Sequence, residues 1–416
     1  MMVGISFEIC YVSAVFVWLP LLAMRSFSNI YVFMKRSCVL VVLDGLGVGE
    51  TEDTQIYGDT GANTLKHATD AGELELKNLS RFGLYNLIGA NADCIASWTD
   101  ISPKSSGKST VEGHWEMMGV ILDESLPTYP DGFSEELLGE LSWRIARPVL
   151  CGKPGSGTKI IEEYGDEHML TGYPIVYTSA DSVMQIAAHE DVIPVTELYE
   201  ICYIARHLMT AKDNVARIIA RPFIGEPGNF TRTSRRKDFT LNMPVPNNLL
   251  SLLKAKVPIS CVGRTADLFE NYASRAENPY ELEDAINQTM TFRTIRNGFI
   301  FLNLGSFDSL YGHRRDKEGF ARELQRLDAV WTNLYKSIGN NDLLLVASDH
   351  GNDPTFQSHT DHTREKTFVM AYTKGYKGHK LHSVEMVDIG ATICDYFGVT
   401  PCAGKSFLEQ VKSEKK

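Results

Sequence analysis

Short runs of residues that are apolar on both faces constrain the fold of this chain most. Four have the length of a β-strand, CVLVVL (38–43), FIFLNL (299–304), LLLVA (343–347) and TFVMAY (367–372), and PISCV (258–262) is a weaker fifth. Such runs are typical of strands in a parallel sheet that helices cover on both sides. Helical stretches at 318–338 and 383–396 lie between and after them. The pattern predicts an α/β fold with a mainly parallel sheet flanked by helices.

The middle of the chain has a different composition. Residues 121–239 are rich in Gly, Pro and Thr, with GKPGSGT at 152–158 and RPFIGEPGNFTRTSRR at 221–236. A chain of 416 residues is also too long for one ordinary core. We therefore expect a core formed by 38–121 and 240–416, and an inserted, smaller α/β cap domain at 122–239.

The first 37 residues form a hydrophobic extension in which the only charge between positions 3 and 24 is Glu8. A signal or anchor segment is one interpretation, but a basic leading region is missing and Pro20 interrupts the apolar run. Met34 directly precedes the first convincing strand, so we favour a mis-assigned start and expect no membrane association unless the extension is real.

Charge and cysteine usage narrow the class of protein. The formal net charge is -11, which argues against a nucleic-acid partner, since such a protein needs a basic surface. A small anionic substrate remains open, because a buried site can be cationic while the surface is acidic. The eight cysteines are scattered without a C-x-x-C pair, the pattern of reduced thiols in the cytoplasm.

Carboxylate and imidazole side chains follow three of the apolar runs. In an open parallel sheet, ligands bind at the carboxyl ends of the strands, so these side chains are expected to meet. Each alone has an ordinary alternative as a turn residue, a helix cap or a surface residue. The residues after the first, second and third runs are Asp44; Asp308 and His313; and Asp349, His350 and His362.

Three aspartates and three histidines at one edge predict a metal site. Mixed carboxylate and imidazole ligation suits Mn²⁺ or Zn²⁺, whereas an oxygen-only cage would favour Mg²⁺ or Ca²⁺. Six ligands exceed the usual three of one catalytic zinc, so two ions are expected. A two-metal site can hold both the attacking and the leaving oxygen of a phosphoryl group.

The segment SSGKST (105–110) offers hydroxyl groups beside a lysine and a glycine. It is not a P-loop, because G-x-x-x-x-G-K-[ST] requires glycine where Ser102 stands. A metal-activated Ser or Thr hydroxyl at a helix N-terminus is the better interpretation. A simple helix cap is compatible with it.

These segments together resemble phosphopentomutases of the alkaline-phosphatase superfamily. The matching stretches include VVLDGLGVGE (41–50), SGKSTVEGHWEMMG (106–119), RPFIGEPGNFTRT (221–233), FDSLYGHRRD (307–316), SDHGNDPT (348–355) and TDHTRE (360–365). The resemblance implies an alkaline-phosphatase-like core with a cap, two Mn²⁺ ions and a phosphothreonine at Thr110. One ion would be held by Asp44, Asp349 and His350, and the other by Asp308, His313 and His362.

The resemblance also implies the reaction. Family enzymes interconvert ribose or deoxyribose 1-phosphate and 5-phosphate through a sugar bisphosphate, which also primes the enzyme. In the cap, Asp181 is expected to accept hydrogen bonds from the sugar. Arg217, Arg221 and Arg232 are expected to hold the distal phosphate of this small sugar phosphate, since a guanidinium fork suits it.

Several positions depart from the family pattern. Ser109 stands where an aspartate is usual, Glu112 where a threonine is usual, and Arg264 where lysine is common, while Gly305-Ser306 replaces Val-Asp. A carboxylate at 112 close to an incoming phosphate would be costly unless it is paired. These departures leave two alternatives open. One is a metal-dependent phosphohydrolase or a mutase of another phosphorylated substrate; the other is a binding protein that has lost catalysis.

Overall fold

The computed structural model describes residues 36–70, 74–179, 181–210, 213–279, 281–295 and 297–415. All but the last two residues of the predicted hydrophobic extension lie outside this part. The described strands are β1 (Ser37–Leu43), β2 (Ser97–Ile101), β3 (Leu150–Pro154), β4 (Ile175–Thr178), β5 (Val183–His189), β6 (Arg217–Glu226), β7 (Asn229–Arg232), β8 (Lys237–Thr240), β9 (Ile259–Gly263), β10 (Arg275–Glu277), β11 (Gly298–Leu304), β12 (Leu343–Ala347) and β13 (Thr367–Tyr372).

Helices cover these strands. They are α1 (Thr64–Asp70), α2 (Lys77–Phe82), α3 (Thr110–Met117), α4 (Glu135–Arg144), α5 (Gly157–Thr171), α6 (Val195–Leu208), α7 (Asn248–Lys254), α8 (Thr265–Leu268), α9 (Leu282–Ile295), α10 (Lys317–Ser337), α11 (Val387–Tyr396) and α12 (Leu408–Val411). Short 3-10 turns occupy Thr54–Tyr57 and Leu84–Ile88, and a π-helix occupies Phe307–Gly312. Among the described helices, none is both long and apolar enough to cross a bilayer.

The first sheet has seven strands in the order β10-β9-β11-β1-β12-β13-β2. The five strands from β10 to β12 in this order run parallel to one another, which confirms the predicted α/β class. Along β1, Val39 and Val41 face one hydrophobic core while Leu40 and Val42 face another. Both faces of the strand are therefore buried, as its uninterrupted apolar sequence predicts.

Two details of the prediction are wrong. The strand at 367–372 was expected to be parallel, yet β13 pairs antiparallel with both β12 and β2. The helix expected at 383–396 begins only at Val387, and Ser383 has a φ of 54°, a left-handed conformation that an α-helix excludes. An apolar run does not specify strand direction, and no residue type here signals the turn.

A second sheet lies in the middle of the chain. Its order is β3-β4-β5-β6-β7, with β8 also paired to β6, and its pairings are both parallel and antiparallel. Helices α4 and α6 contribute to a core of their own with β5 and β6. Its strands lie between residues 150 and 240, close to the range predicted for a cap, but the domain boundaries themselves stay a prediction.

Candidate active site

The central strands β11, β1 and β12 lie side by side and end at the same edge of the first sheet. Asp44 follows β1 directly, Asp349 comes two residues after β12, and Asp308 lies in the π-helix after β11. Gly45 has a φ of 78° and its N–H donates to Asp349 Oδ1 at 3.1 Å. The Asp-Gly turn therefore links two of the strand ends.

Asp44, Asp349 and His350 form the first group of candidate metal ligands. One ligand atom from each lies within 4.8 Å of the others, and all three residues are buried. His350 Nε2 is 3.2 Å from Asp44 Oδ1 and 3.4 Å from Asp349 Oδ2. The side chains expected around one ion are thus brought together.

Asp308, His313 and His362 meet beside that group. Asp308 Oδ1 lies 3.4 Å from His313 Nε2 and 3.3 Å from His362 Nε2, and the two histidine nitrogens are 3.1 Å apart. The rings of His350 and His362 have centroids 4.0 Å apart. The two sets of three ligands therefore adjoin each other.

Opposite charges balance within this cluster. Burial acts to raise the pKa of Asp44, but Arg264 and His350 outweigh it and hold that pKa below its usual value. Burial likewise opposes the ionised form of Asp308, yet His313 and His362 lower its pKa. Burial acts to lower the pKa of His350, but Asp349 and Asp44 raise it to about 10. Asp44 and Asp308 are therefore ionised despite their burial.

The residues present fit divalent cations. Asp308 Oδ2 and Asp349 Oδ2 are buried and accept no hydrogen bond from the residues that the structure describes, although Arg264 Nη2 lies 3.1 Å from the first and His114 Nδ1 lies 3.2 Å from the second. Burying an ionised oxygen without a hydrogen bond is costly, and a bound cation would lower that cost. Three carboxylates and three imidazoles give the mixed donor set that transition metals of the Mn²⁺ and Zn²⁺ type accept.

Thr110 is the first residue of α3, at the edge of the ligand cluster. Its hydroxyl lies 3.1 Å from His350 Nε2 and 3.4 Å from Asp44 Oδ1. Ser109 is the N-cap of the helix and its Oγ accepts from the N–H of Glu112 at 3.4 Å. The expected position of the hydroxyl at a helix N-terminus is confirmed, and the simple cap is Ser109.

A cavity of about 880 Å³ opens above Thr110 between the two sheets. Its walls include Asp308 and His313 on one side and, on the other, the four residues expected to contact substrate: Asp181, Arg217, Arg221 and Arg232. Asp44, Asp349, His350 and His362 lie behind this wall. All of the sequence-predicted site residues therefore lie at or directly behind one cavity.

The four residues from the second sheet differ in their surroundings. Arg217 lies between Asp181, at 3.4 Å, and Asp238, at 3.5 Å, while Arg221 Nε donates to Gln185 Oε1 at 2.9 Å. Asp181 also has a carboxylate oxygen within 4.8 Å of His313 and His362. It therefore lies nearer the candidate metal ligands than a contact to the sugar alone would require.

Comparison with known proteins gives strong similarity in sequence. The chain is 42% identical over 388 residues to a phosphopentomutase of Caldanaerobacter subterraneus, covering 91% of this chain and 98% of that protein. It is 43% identical over 391 residues to a phosphopentomutase of Dictyoglomus turgidum, with coverage of 91% and 98%. The chain belongs to the phosphopentomutase family. The predicted family is thereby confirmed, and with it the prediction that the chain is an enzyme.

Two further similarities are more remote. The family model described as the metalloenzyme superfamily matches residues 265–401 of this phosphopentomutase-family chain. A phosphoglycerate mutase structure from Leishmania mexicana has 12% identity and a TM-score of 0.43, covering 89% of this chain and 97% of that chain. The superfamily match includes five of the six predicted metal ligands, all of which follow β11 or β12: Asp308, His313, Asp349, His350 and His362.

The Glu112 departure from the phosphopentomutase pattern has a local explanation. Its Oε2 accepts from the N–H of Ser109 at 3.1 Å, and its Oε1 accepts from the N–H of Leu126 at 2.9 Å. The carboxylate therefore completes a capping box and is absent from the cavity wall. The carboxylate therefore has hydrogen-bond partners of its own and does not face the cavity where a phosphate would enter.

Several residues in contact with this phosphopentomutase-family site were not predicted from sequence. His114 Nδ1 donates to Thr110 O at 2.8 Å and lies 3.2 Å from Asp349 Oδ2. Asn352 Nδ2 donates to Asp308 Oδ1 at 2.7 Å. His114 lies in the motif GHWEMMG and Asn352 in the motif DHGNDPT, so these motifs could have indicated that both residues belong to the site. Arg264 and Asp267 also reach the cavity, from the segment that follows β9.

Proposed function

We propose that the chain interconverts ribose or deoxyribose 1-phosphate and the corresponding 5-phosphate, with Thr110 as the residue that carries the phosphoryl group. The observation that carries this proposal is the position of the Thr110 hydroxyl. It lies 3.1 Å from His350 Nε2, next to six clustered ligands and below a cavity with arginines on its far wall. Membership of the phosphopentomutase family supports the same reaction.

In the proposed cycle, phosphorylated Thr110 transfers its phosphoryl group to the free hydroxyl of the sugar monophosphate. The bond between phosphorus and the Thr110 oxygen breaks, and a bond to the sugar oxygen forms, which gives a sugar bisphosphate. The proton of the sugar hydroxyl leaves, and the Thr110 oxygen regains one. The bisphosphate then presents its other phosphate to Thr110, which restores the phosphothreonine and releases the isomer. The same bisphosphate primes unphosphorylated enzyme.

Two divalent ions, which we infer to be Mn²⁺, would be held by Asp44, Asp349 and His350 and by Asp308, His313 and His362, and would neutralise charge on the phosphoryl oxygens. The protein's own part is to hold reacting groups in line. Thr110 is the first residue of α3, so the positive end of the helix dipole would stabilise negative charge that develops there. His114 supports this end of the helix through Thr110 O.

The far wall of the cavity suits the phosphate that is not reacting. Arg221 and Arg232 supply guanidinium groups there, and the Nε of Arg232 has no hydrogen-bond partner among the described residues. A bidentate fork is the geometry that a phosphate accepts best. Asp181 and Arg217 stand between the two ends, where a pentose ring and its hydroxyls would lie. We infer that this wall is the substrate-binding cap at 122–239, and that the rest of the described chain is the core.

The proposed substrates also indicate the compartment. The cysteines that the structure describes are all free thiols. Free thiols and sugar monophosphates both fit a reducing interior. We infer that this enzyme acts in the cytoplasm.

The test is isomerisation of ribose 1-phosphate by manganese-loaded protein primed with a pentose bisphosphate. We expect ribose 5-phosphate to form, and Thr110→Ala to lower kcat by at least about 10³-fold, because the acceptor oxygen is gone. Elemental analysis should show the same metal content in both proteins. Thr110→Ser, which keeps a hydroxyl, is the matched control and should retain more activity.

Other outcomes would contradict the proposal. Release of inorganic phosphate without isomer would indicate a phosphohydrolase. Metal content well below two ions per chain would contradict the two-metal site. Equal turnover by Thr110→Ala and the unmodified chain would remove Thr110 from the reaction.

A further inference from the structure

Arg264 reaches the centre of the candidate active site from the turn after β9. Its Nη2 lies 3.1 Å from Asp308 Oδ2, and its Nη1 lies 3.6 Å from Asp44 Oδ2. Nη1 also donates to the Thr110 hydroxyl at 3.5 Å. One guanidinium therefore contacts a carboxylate of each ligand group and the proposed nucleophile at once.

The surroundings of Arg264 keep it charged and fixed. Only 21% of its side chain is exposed. A guanidinium stays protonated even where it is buried. Because a buried guanidinium retains its fork of donors, it can bind two oxygens of one phosphoryl group.

Gly305 provides the space through which this side chain passes. A Cβ atom at position 305 would lie 2.7 Å from Arg264 Nε, 3.1 Å from Cδ and 3.2 Å from Cγ. Gly305 is not among the glycines with a positive φ, so its backbone conformation does not itself require glycine. The neighbour that excludes a side chain here is therefore Arg264.

We propose that Arg264 and Gly305 are a mutually dependent pair in which Gly305 positions Arg264, and Arg264 donates hydrogen bonds to the phosphoryl group on its way to and from Thr110. The pair deepens the proposed function and rests on it. Arg264 forms no covalent bond in the reaction; it stabilises negative charge where that charge develops. Gly305 is a positioning residue, since it acts only by leaving room for Arg264.

The proposal predicts a particular dependence between two substitutions. Gly305→Ala adds the conflicting Cβ and moves the guanidinium, and loss of one such donor lowers kcat by roughly 10²-fold. Arg264→Lys replaces the planar fork by a flexible chain that can bend away from position 305, so we expect a loss of roughly 10-fold. The double variant should lose about as much as Arg264→Lys alone, because the added methyl group no longer has a guanidinium to displace.

Four proteins, the unmodified chain, each single variant and the double variant, should be compared for isomerisation and for binding of inorganic phosphate to the manganese-loaded enzyme by calorimetry. Phosphate binding needs no turnover, so it tests the pair separately. We expect the Kd for phosphate to rise about tenfold in Gly305→Ala and by a smaller factor in Arg264→Lys. The Kd of the double variant should equal that of Arg264→Lys. Gly139→Ala, in an exposed part of α4 with no atom near its Cβ position, is the matched control and should change neither value.

Two results would overturn the pair. One is a double variant whose losses are the product of the single losses, and the other is Gly305→Ala with unchanged kcat and phosphate Kd. Failure of the proposed function looks different: the unmodified chain would not isomerise ribose 1-phosphate, while phosphate binding would still show the dependence. If the unmodified chain isomerises ribose 1-phosphate but the losses of the two single variants multiply in the double variant, the proposed pair is rejected and the proposed function stands.

Discussion

Asp267 is a part-buried carboxyl in the wall of the substrate cavity, in the short helix α8. Burial is the main cause that raises its pKa to about 7, and Asp238 adds to this while Arg236 opposes it. Asn278 Nδ2 donates to its Oδ2 at 3.2 Å. Below pH 7 the side chain is therefore mainly neutral, and above pH 7 it adds a negative charge to a cavity that we propose binds phosphate.

We predict that the KM for ribose 5-phosphate of the unmodified chain, relative to that of Asp267→Asn, rises as the pH increases from 6 to 8, because ionised Asp267 repels the substrate. The expected change is roughly fivefold, equivalent to about 1 kcal/mol. Initial rates measured against substrate concentration at each pH would show it.

Asp267→Asn is the matched control for that profile. The substrate phosphate titrates in the same pH range, and its more highly charged form favours binding to arginines, which is the opposite direction. Both proteins share that effect, so the difference between their profiles reports Asp267. Parallel profiles would show that Asp267 does not titrate near pH 7 or does not face the substrate.

Single residues also show what sequence could provide about the site. The clustering of the six candidate metal ligands could be predicted because each follows an apolar run that ends at one sheet edge. Arg264 could not be placed in the site from sequence. Its contact with Asp44 and Asp308 requires β9, β11 and β1 to be neighbours in that order, which is known only from the strand pairing in the structure. From sequence, Glu112 was expected to lie near the phosphate. Its hydrogen bond to the N–H of Leu126 joins residues 14 apart, and the sequence does not show a contact over that separation.

Among the elements, the N-terminus of α3 holds the proposed nucleophile, Thr110, next to its helix cap. Thr110 is its first residue, and Ser109 and Glu112 satisfy backbone N–H groups at that end. A helix end without a cap frays in its first turn. Thr110 would then lose its fixed distance to His350.

We predict that Ser109→Ala lowers the free energy of unfolding by about 1 kcal/mol and also lowers kcat several-fold. Urea denaturation and initial rates measure the two effects. Ser134 is a matched control, because it caps α4 and its Oγ accepts from the N–H of Leu137 at 3.2 Å, away from the cavity.

Ser134→Ala should cost a similar free energy of unfolding and leave kcat unchanged. If both variants lose stability and neither loses activity, the cap of α3 does not position Thr110.

The strands show the corresponding limit of sequence at this scale. Apolar runs on both faces were enough to locate β1, β11, β12 and β13, with ends that differ by no more than one residue from those predicted. The antiparallel direction of β13 was missed, because burial on both faces is the same for either direction. Hydrogen bonding to β12 and β2 fixes the direction, and the apolar pattern does not record it.

At the scale of the whole molecule, the cavity joins the two sheets. Thr110, Asp308 and Arg264 border it from the first sheet, and Arg221 and Arg232 border it from the second. A ligand with a phosphate at each end can contact both walls at once, whereas inorganic phosphate can contact only one. The cost of ordering the loops of both walls is then offset by two sets of charge-assisted hydrogen bonds instead of one.

We therefore predict that a pentose bisphosphate slows amide hydrogen exchange in the segment 232–236 of manganese-loaded protein, and that inorganic phosphate at the same concentration does so much less. Arg232→Ala should weaken binding of the bisphosphate roughly tenfold or more and remove this protection, because it takes away a guanidinium that faces the cavity. Arg235→Ala is the matched control, since Arg235 pairs with Glu190 and is absent from the cavity wall. Equal protection by the two ligands, or equal effects of the two substitutions, would mean that the second sheet does not hold the distal phosphate, and the role assigned to its arginines would have to be withdrawn.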